Sequence, residues 1–372
     1  MVGGDGGGTP TPRRGLPGPN EASRPVPSVA EAAPVAEASP LSIRRGLGST
    51  PAPSPAVTPV GASSAPPAAP AETPSARRTR LRWRVPVLVG AAVIVLGIAA
   101  VLTAQWLRQL DWVDSFLLRY PGESRLPDNA PVGIPAWLGW QHFLNAFFLV
   151  LIVRSGLRVR GEPRPAVSWS PRWNPNRRIS IWLWFHQSLD LLWLLNGVVY
   201  VVLLFVTGHW VRVVPTGWDV VPNAISAALQ YVSLQWPTEN GWVNYNSLQL
   251  LAYCFTVFVA APLAIASGLR MSGLWPAKIG WLSRLVPIEA ARRVHFPIML
   301  YFVAFTTVHV LLVLSTGALR NLNHMYASID AVNGIGLAVF VASVAVTVAA
   351  WVLARPLLLA GMARAFGTVS GR

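Results

Sequence analysis

Six separate runs of this chain are each long and apolar enough to cross a lipid bilayer, which restricts its fold more than any other feature. A hydrocarbon core of ~30 Å is crossed by ~20 apolar residues in helical conformation. Within that core every backbone N–H and C=O must be paired, and a continuous apolar run does this as an α-helix. The runs fall at roughly 85–105, 135–153, 181–207, 246–268, 294–316 and 333–357, here the first to sixth spans. The second is the shortest, but Trp137 and Trp140 suit an interfacial start and an arginine-rich stretch follows it directly. The expected fold class is an all-α integral membrane protein with six transmembrane helices.

Composition agrees with this and removes other classes. Of 372 residues, 53% are hydrophobic and only 12% charged, whereas a soluble domain carries about a quarter of its residues as charge. The formal net charge of +15 raises the question of nucleic acid, but 29 of the 30 basic residues are Arg, Lys278 being the exception. Their placement is decisive: 25 lie on the side that holds residues 1–84, the 154–180 and 270–293 loops and the C-terminus, against 5 on the other. Basic loops are retained in the cytoplasm, so the expected location is the cell inner (cytoplasmic) membrane with both termini cytoplasmic. Topology thus accounts for the charge, and nucleic acid is not an expected partner; membrane lipid is. Cys254, alone in the sequence and inside an apolar run, excludes a disulfide framework and thiolate clusters. Residues 1–80 hold 16 of the 33 prolines, no aromatic residue and no apolar periodicity. Such a segment buries too little surface to offset its ordering entropy and reads as a disordered cytoplasmic tail, not a signal peptide.

Four of the six histidines fall inside spans: His142 in the second, His186 in the third, His295 and His309 in the fifth. Ionisable groups at membrane depth are costly and usually functional. His295 and His309 are 14 residues apart, which at 100° per residue is ~40° short of four turns with a rise of ~21 Å. They project from nearly one face at two depths. Two macrocycles stacked across a bilayer need such spacing, and a haem iron takes a second imidazole from a facing helix. With the orientation above, the third span starts at the same side as His295 and carries His186 near its start, while the second starts at the far side and carries His142. The expected metal ligands are therefore His186 with His295 and His142 with His309. His209 lies 23 residues beyond His186, ~140° past six whole turns, so it faces largely away and competes weakly for the outer haem. His324 reads as a loop histidine. One internal echo stands out: Ser155-Gly156-Leu157-Arg158 closes the second span and Ser267-Gly268-Leu269-Arg270 the fourth. Small residues there permit close approach of a helix or cofactor, and a glycine stop followed by ordinary interfacial arginine explains the pattern equally well.

The sequence resembles the di-haem membrane cytochrome b subunits of the formate dehydrogenase, nickel-iron hydrogenase and thiosulfate reductase type, over roughly 137–316. The resemblance is carried by Trp140-Gln141-His142, by Ser155-Gly156, by Arg178 and Ile181 leading to His186, and above all by the His295–His309 pair. It implies two haem b groups in a four-helix core over 135–316, and a quinone as mobile electron carrier. It also implies a partner that performs the catalysis: a molybdopterin oxidoreductase, formate dehydrogenase or hydrogenase. By the same resemblance Asn246 and Gln249 are candidate quinone contacts, and Arg178, Arg292 and Arg293 candidate haem-propionate partners. Helix capping and basic-loop topology, respectively, also place such residues there. The remaining segments are an extra helix and outer loop over 81–134 and a final span with cytoplasmic C-terminus over 317–372; the extra helix inverts the core relative to the formate dehydrogenase cytochrome. The expected function is transmembrane electron transfer between that partner and the quinone pool, with no catalytic residue in this chain. A haem-free transporter or structural subunit, and a self-sufficient reductase of the cytochrome b561 type, are the competing readings.

Overall fold

The structure, a computed structural model, describes residues 74–162, 164–236, 240–276 and 280–371. Residues 1–73 of the expected 1–80 tail lie outside the described residues, as does Lys278. Among the described residues six helices are long and apolar enough to span a membrane. They are α1 (Pro74–Leu107), α3 (Ala136–Gly161), α4 (Ile181–Val206), α6 (Ser247–Phe255) continuing through a π turn (Thr256–Ala260) into α7 (Ala261–Met271), α9 (Ile288–Ser315) and α11 (Ile335–Leu353). The chain is a predominantly helical integral membrane protein.

Several helix boundaries extend past the apolar runs. α3 continues to Gly161 and carries Arg158 and Arg160 in its last turn, where positive charge meets the negative end of the helix dipole. α9 begins at Ile288, ahead of Arg292 and Arg293. Hydropathy marks where a helix meets hydrocarbon, not where its hydrogen bonding stops. α1 likewise begins at Pro74, inside the segment whose composition reads as tail.

Most large apolar side chains are exposed, as a bilayer solvent allows, and none of the most apolar stretch of Val85–Leu107 is buried against protein. Contact is concentrated where α3 runs along α4 and α7 along α9. Polar glue joins these helices: Trp193 Nε1 donates to Asn145 Oδ1 across 3.0 Å, and the Thr256 and Tyr301 hydroxyls meet at 2.7 Å. Trp193 and Phe302, edge to face at 6.1 Å, join the two helix pairs.

The two ends of the bundle differ. At the arginine-rich end, β1 (Val167–Pro171), β2 (Ile179–Ser180) and β3 (Gly367–Gly371) form a small antiparallel sheet in the order β2-β1-β3, with Trp169 opposite Val369. With α12 (Pro356–Ala363) it covers an apolar cluster of Phe148, Leu151, Trp169, Ile181, Trp184 and Leu359. The opposite end is capped by α2 (Asp111–Arg119), a 3-10 turn (His209–Arg212), α5 (Val220–Val232) and α10 (Ala318–Leu322) with its following π turn (Asn323–Ala327). α8 (Gly280–Leu285) lies between α7 and α9 in the chain.

Candidate functional site

At the arginine-rich end, His186 of α4 and His295 of α9 face each other with ring centres 6.5 Å apart and planes at 84°. Each Nδ1 meets a serine hydroxyl: His186 that of Ser155 at 2.9 Å, His295 that of Ser267 at 3.0 Å. The glycine after each serine lies against the same ring. A Cβ at Gly156 would sit 3.1 Å from His186 Cε1, and one at Gly268 3.3 Å from His295 Cε1. The repeated Ser-Gly-Leu-Arg is therefore one device used twice, closing a helix against the histidine of the next. Its arginines are matched too: the Arg158 guanidinium stands 5.9 Å from the Trp182 ring centre and that of Arg270 5.0 Å from Trp275.

At the other end, His142 of α3 and His309 of α9 have ring centres 6.1 Å apart with planes at 55°. Phe305 stacks on His309 at 5.9 Å and 4°, and Tyr253 stands edge-on to it at 6.2 Å. Tyr326 is edge-on to His142 at 5.8 Å. His142 Nδ1 is buried and makes no hydrogen bond among the described residues.

Two imidazoles that share one metal through bonds of about 2.0 Å, with each nitrogen about 1.1–1.2 Å from its ring centre, hold their ring centres about 6.3 Å apart. Both pairs meet this spacing within a few tenths of an ångström. Donor type and facing rings fit a bis-imidazole haem site at each pair, and the Cβ-free edges at Gly156 and Gly268 both belong to the His186–His295 pair. Asp190, a carboxylate inside α4, stands with its Oδ2 3.6 Å from His186 Nε2, a neighbour that its membrane depth alone could have signalled.

The other predicted residues are placed differently. Asn246 is fully buried as the N-cap of α6, accepting the Gln249 backbone N–H at 2.9 Å and donating to the Tyr231 hydroxyl at 2.9 Å. Gln249 follows it in the first turn. Arg178 is exposed and donates to Ser370 Oγ at 2.7 Å, bracing the sheet to the C-terminus, while Arg292 and Arg293 are exposed on α9. His209 packs edge-on to Trp137 at 5.6 Å and meets the Thr207 hydroxyl at 3.0 Å. Burial and then the nearby Arg212 hold its imidazole below its ordinary pKa. His324 is buried, not a free surface group, and meets Asp330 at 2.8 Å. Ser155 and Ser267 are not among the residues the sequence nominates for the site, and the internal echo is the signal that points to them.

No family model and no solved structure matches the chain. Among curated proteins it matches one from Azospira oryzae that bears the provisional name protein-methionine-sulfoxide reductase subunit YedZ1. The two are 30% identical over 198 residues, which cover 48% of this chain and 88% of the relative. That name is consistent with a membrane reductase subunit and does not support the formate dehydrogenase, hydrogenase or thiosulfate reductase type that the resemblance implied. With nearly the whole relative aligned at this identity, the chain belongs to the YedZ1 family of reductase subunits.

Proposed function

We propose that this chain is a di-haem b-type cytochrome, the membrane electron-transfer subunit of a reductase whose catalytic site lies on a separate polypeptide. The observation that carries the reading is the pair of facing imidazole couples that share α9 through His295 and His309. Fourteen residues of helix separate the two couples by ~21 Å, most of the depth of a bilayer core. Haem b, when bound, supplies a one-electron iron couple. The chain's own residues hold each ring in place, and the apolar spans around them exclude water.

Electrons pass between the quinone pool and the partner, with the quinone site at the His142–His309 end. The partner is a molybdopterin-type oxidoreductase. The name of the A. oryzae relative favours one that reduces methionine sulfoxide in proteins over a formate dehydrogenase or hydrogenase. Such a reduction takes two electrons and two protons per sulfoxide and releases water, so a chain of one-electron carriers must turn over twice for each product. The distribution of arginine favours the inner membrane with the Ser-Gly-Leu-Arg end in the cytoplasm.

A reduced-minus-oxidised spectrum of the purified chain tests this. Two b-type haems per chain are expected. His309→Ala removes one of them, and His209→Ala leaves both. Wild-type protein without a b-type band, or equal haem loss from His209→Ala, overturns the assignment.

A further inference from the structure

We propose that Ser155 and Ser267 are positioning residues that fix the tautomer and raise the donor strength of His186 and His295, so that one haem is tuned from both faces. This rests on the di-haem reading above. A hydroxyl carries one proton. Ser155 is fully buried and its Oγ lies 3.0 Å from the Ile152 carbonyl; the Ser267 hydroxyl lies 2.6 Å from the Leu263 carbonyl and 3.1 Å from that of Ala264. We assign each serine proton to the carbonyl of its own helix, which can only accept, whereas an imidazole Nδ1 can donate. The contact with the ring is then Nδ1–H donating to Oγ. Each imidazole is thereby held with its proton on Nδ1 and its lone pair on Nε2, the form that a metal takes.

The arrangement also acts on electron density. A hydroxyl already donating to a carbonyl is a better acceptor, since chained hydrogen bonds polarise one another. An Nδ1–H held this way gives the ring some imidazolate character, which raises its basicity as a ligand and favours ferric iron. The same device occurs on two helices that are not neighbours in sequence, with serine-to-histidine separations of 31 and 28 residues, and both copies converge on one site. The other pair lacks it: His142 Nδ1 makes no hydrogen bond among the described residues, and His309 is flanked by the rings of Phe305 and Tyr253. The hydrogen bonds therefore lower the potential of one haem and not of the other.

Redox titration and low-spin electron paramagnetic resonance of the full haem-loaded chain test the inference, with Ser155→Ala, Ser267→Ala and the two threonine variants. Each alanine variant should keep both haems and raise the midpoint of the same haem. A tenfold change in its ferric-to-ferrous balance corresponds to about 59 mV for a one-electron couple. The second haem should stay at its wild-type potential, and threonine, which keeps the hydroxyl, should restore the first. Unchanged titrations in both alanine variants, or alanine variants that move different haems, overturn the proposal. If alanine releases a haem, retention by threonine supports it and loss from threonine as well overturns it. Absence of haem from the wild type strikes the di-haem reading instead, so the two failures are distinguishable.

Discussion

Arg212 stands out among the arginines because it is buried, at 3% exposure, on the side of the membrane where basic residues are few. Its guanidinium donates to the carbonyls of Gly133 and Gly241 and lies 5.0 Å from the Tyr245 ring centre. It ties the segment ahead of α3 to the segment ahead of α6. Gly133 suits this junction because its φ is +91° and a Cβ there would strike Trp242. Hydrogen bonds from charged donors contribute about 1.5–3 kcal/mol each. Arg212→Leu should therefore lower thermal stability in detergent by at least about 2 kcal/mol, with Lys recovering only part because an ammonium cannot fork across both carbonyls. Full stability in the leucine variant would show that the two carbonyls do not depend on this residue. Counting charge along the sequence registers Arg212 as one unit on the minority side and cannot see that it is a clip.

The connection between α9 and α11 is held by a second clip. Asp330 accepts from Arg320 Nε at 2.9 Å and meets His324 Nε2 at 2.8 Å, while buried Asn323 donates to the carbonyls of Ala331 and Asn333. His324 first, then Arg320, holds the Asp330 carboxyl below its usual range. A carboxyl whose folded pKa is depressed contributes stability that is complete above its unfolded pKa of about 3.9 and is lost as pH falls through the lower folded value. The protection factors of residues 318–333, which take out the intrinsic pH dependence of amide exchange, should therefore stay high at about pH 6 and fall as pH drops below about 4. Asp330→Asn should show the lower protection throughout and lose that pH dependence; a wild-type segment indifferent to acid would refute the clip. The fourth span shows a related limit of linear reading. Its π turn at Thr256–Ala260 lies between the cap at Asn246 and Ser267, which meets His295, and an extra residue in a turn changes which face the rest of the helix presents. Ideal helical arithmetic works for His295 and His309, which share one continuous helix, and would misplace Ser267 relative to Asn246.

The bundle has two chemically distinct ends. The sheet joins the 154–180 segment to the C-terminus at one, and Arg212, Asn246 and Asn323 organise the other. If the arginine-rich end is cytoplasmic, reporters fused at either terminus should report the cytoplasm. Single cysteines placed in 208–235 of a Cys254→Ser background should then be labelled only from the opposite face. A C-terminal fusion active outside the cytoplasm would reverse the orientation. The sheet itself was invisible in sequence, since its strands are short and β1 pairs with β3 across about 200 residues.

The spans and the histidine pairing were legible because bilayer thickness and helical rise are nearly constant, so a run of apolar residues and a 14-residue spacing translate directly into depth and face. Nothing comparable links a residue to its hydrogen-bond partner on another helix. Asn246 and Gln249 looked like ligand contacts and Arg178 like a propionate partner; folding makes Asn246 a helix cap and Arg178 a brace on the C-terminal strand. The repeated Ser-Gly was visible in the chain but had no meaning until two helices brought each serine within 3.0 Å of a histidine. Which groups lie in the membrane, and at what depth, follows from local hydropathy; what each polar group bonds to depends on its neighbours in space, which only the packed bundle supplies.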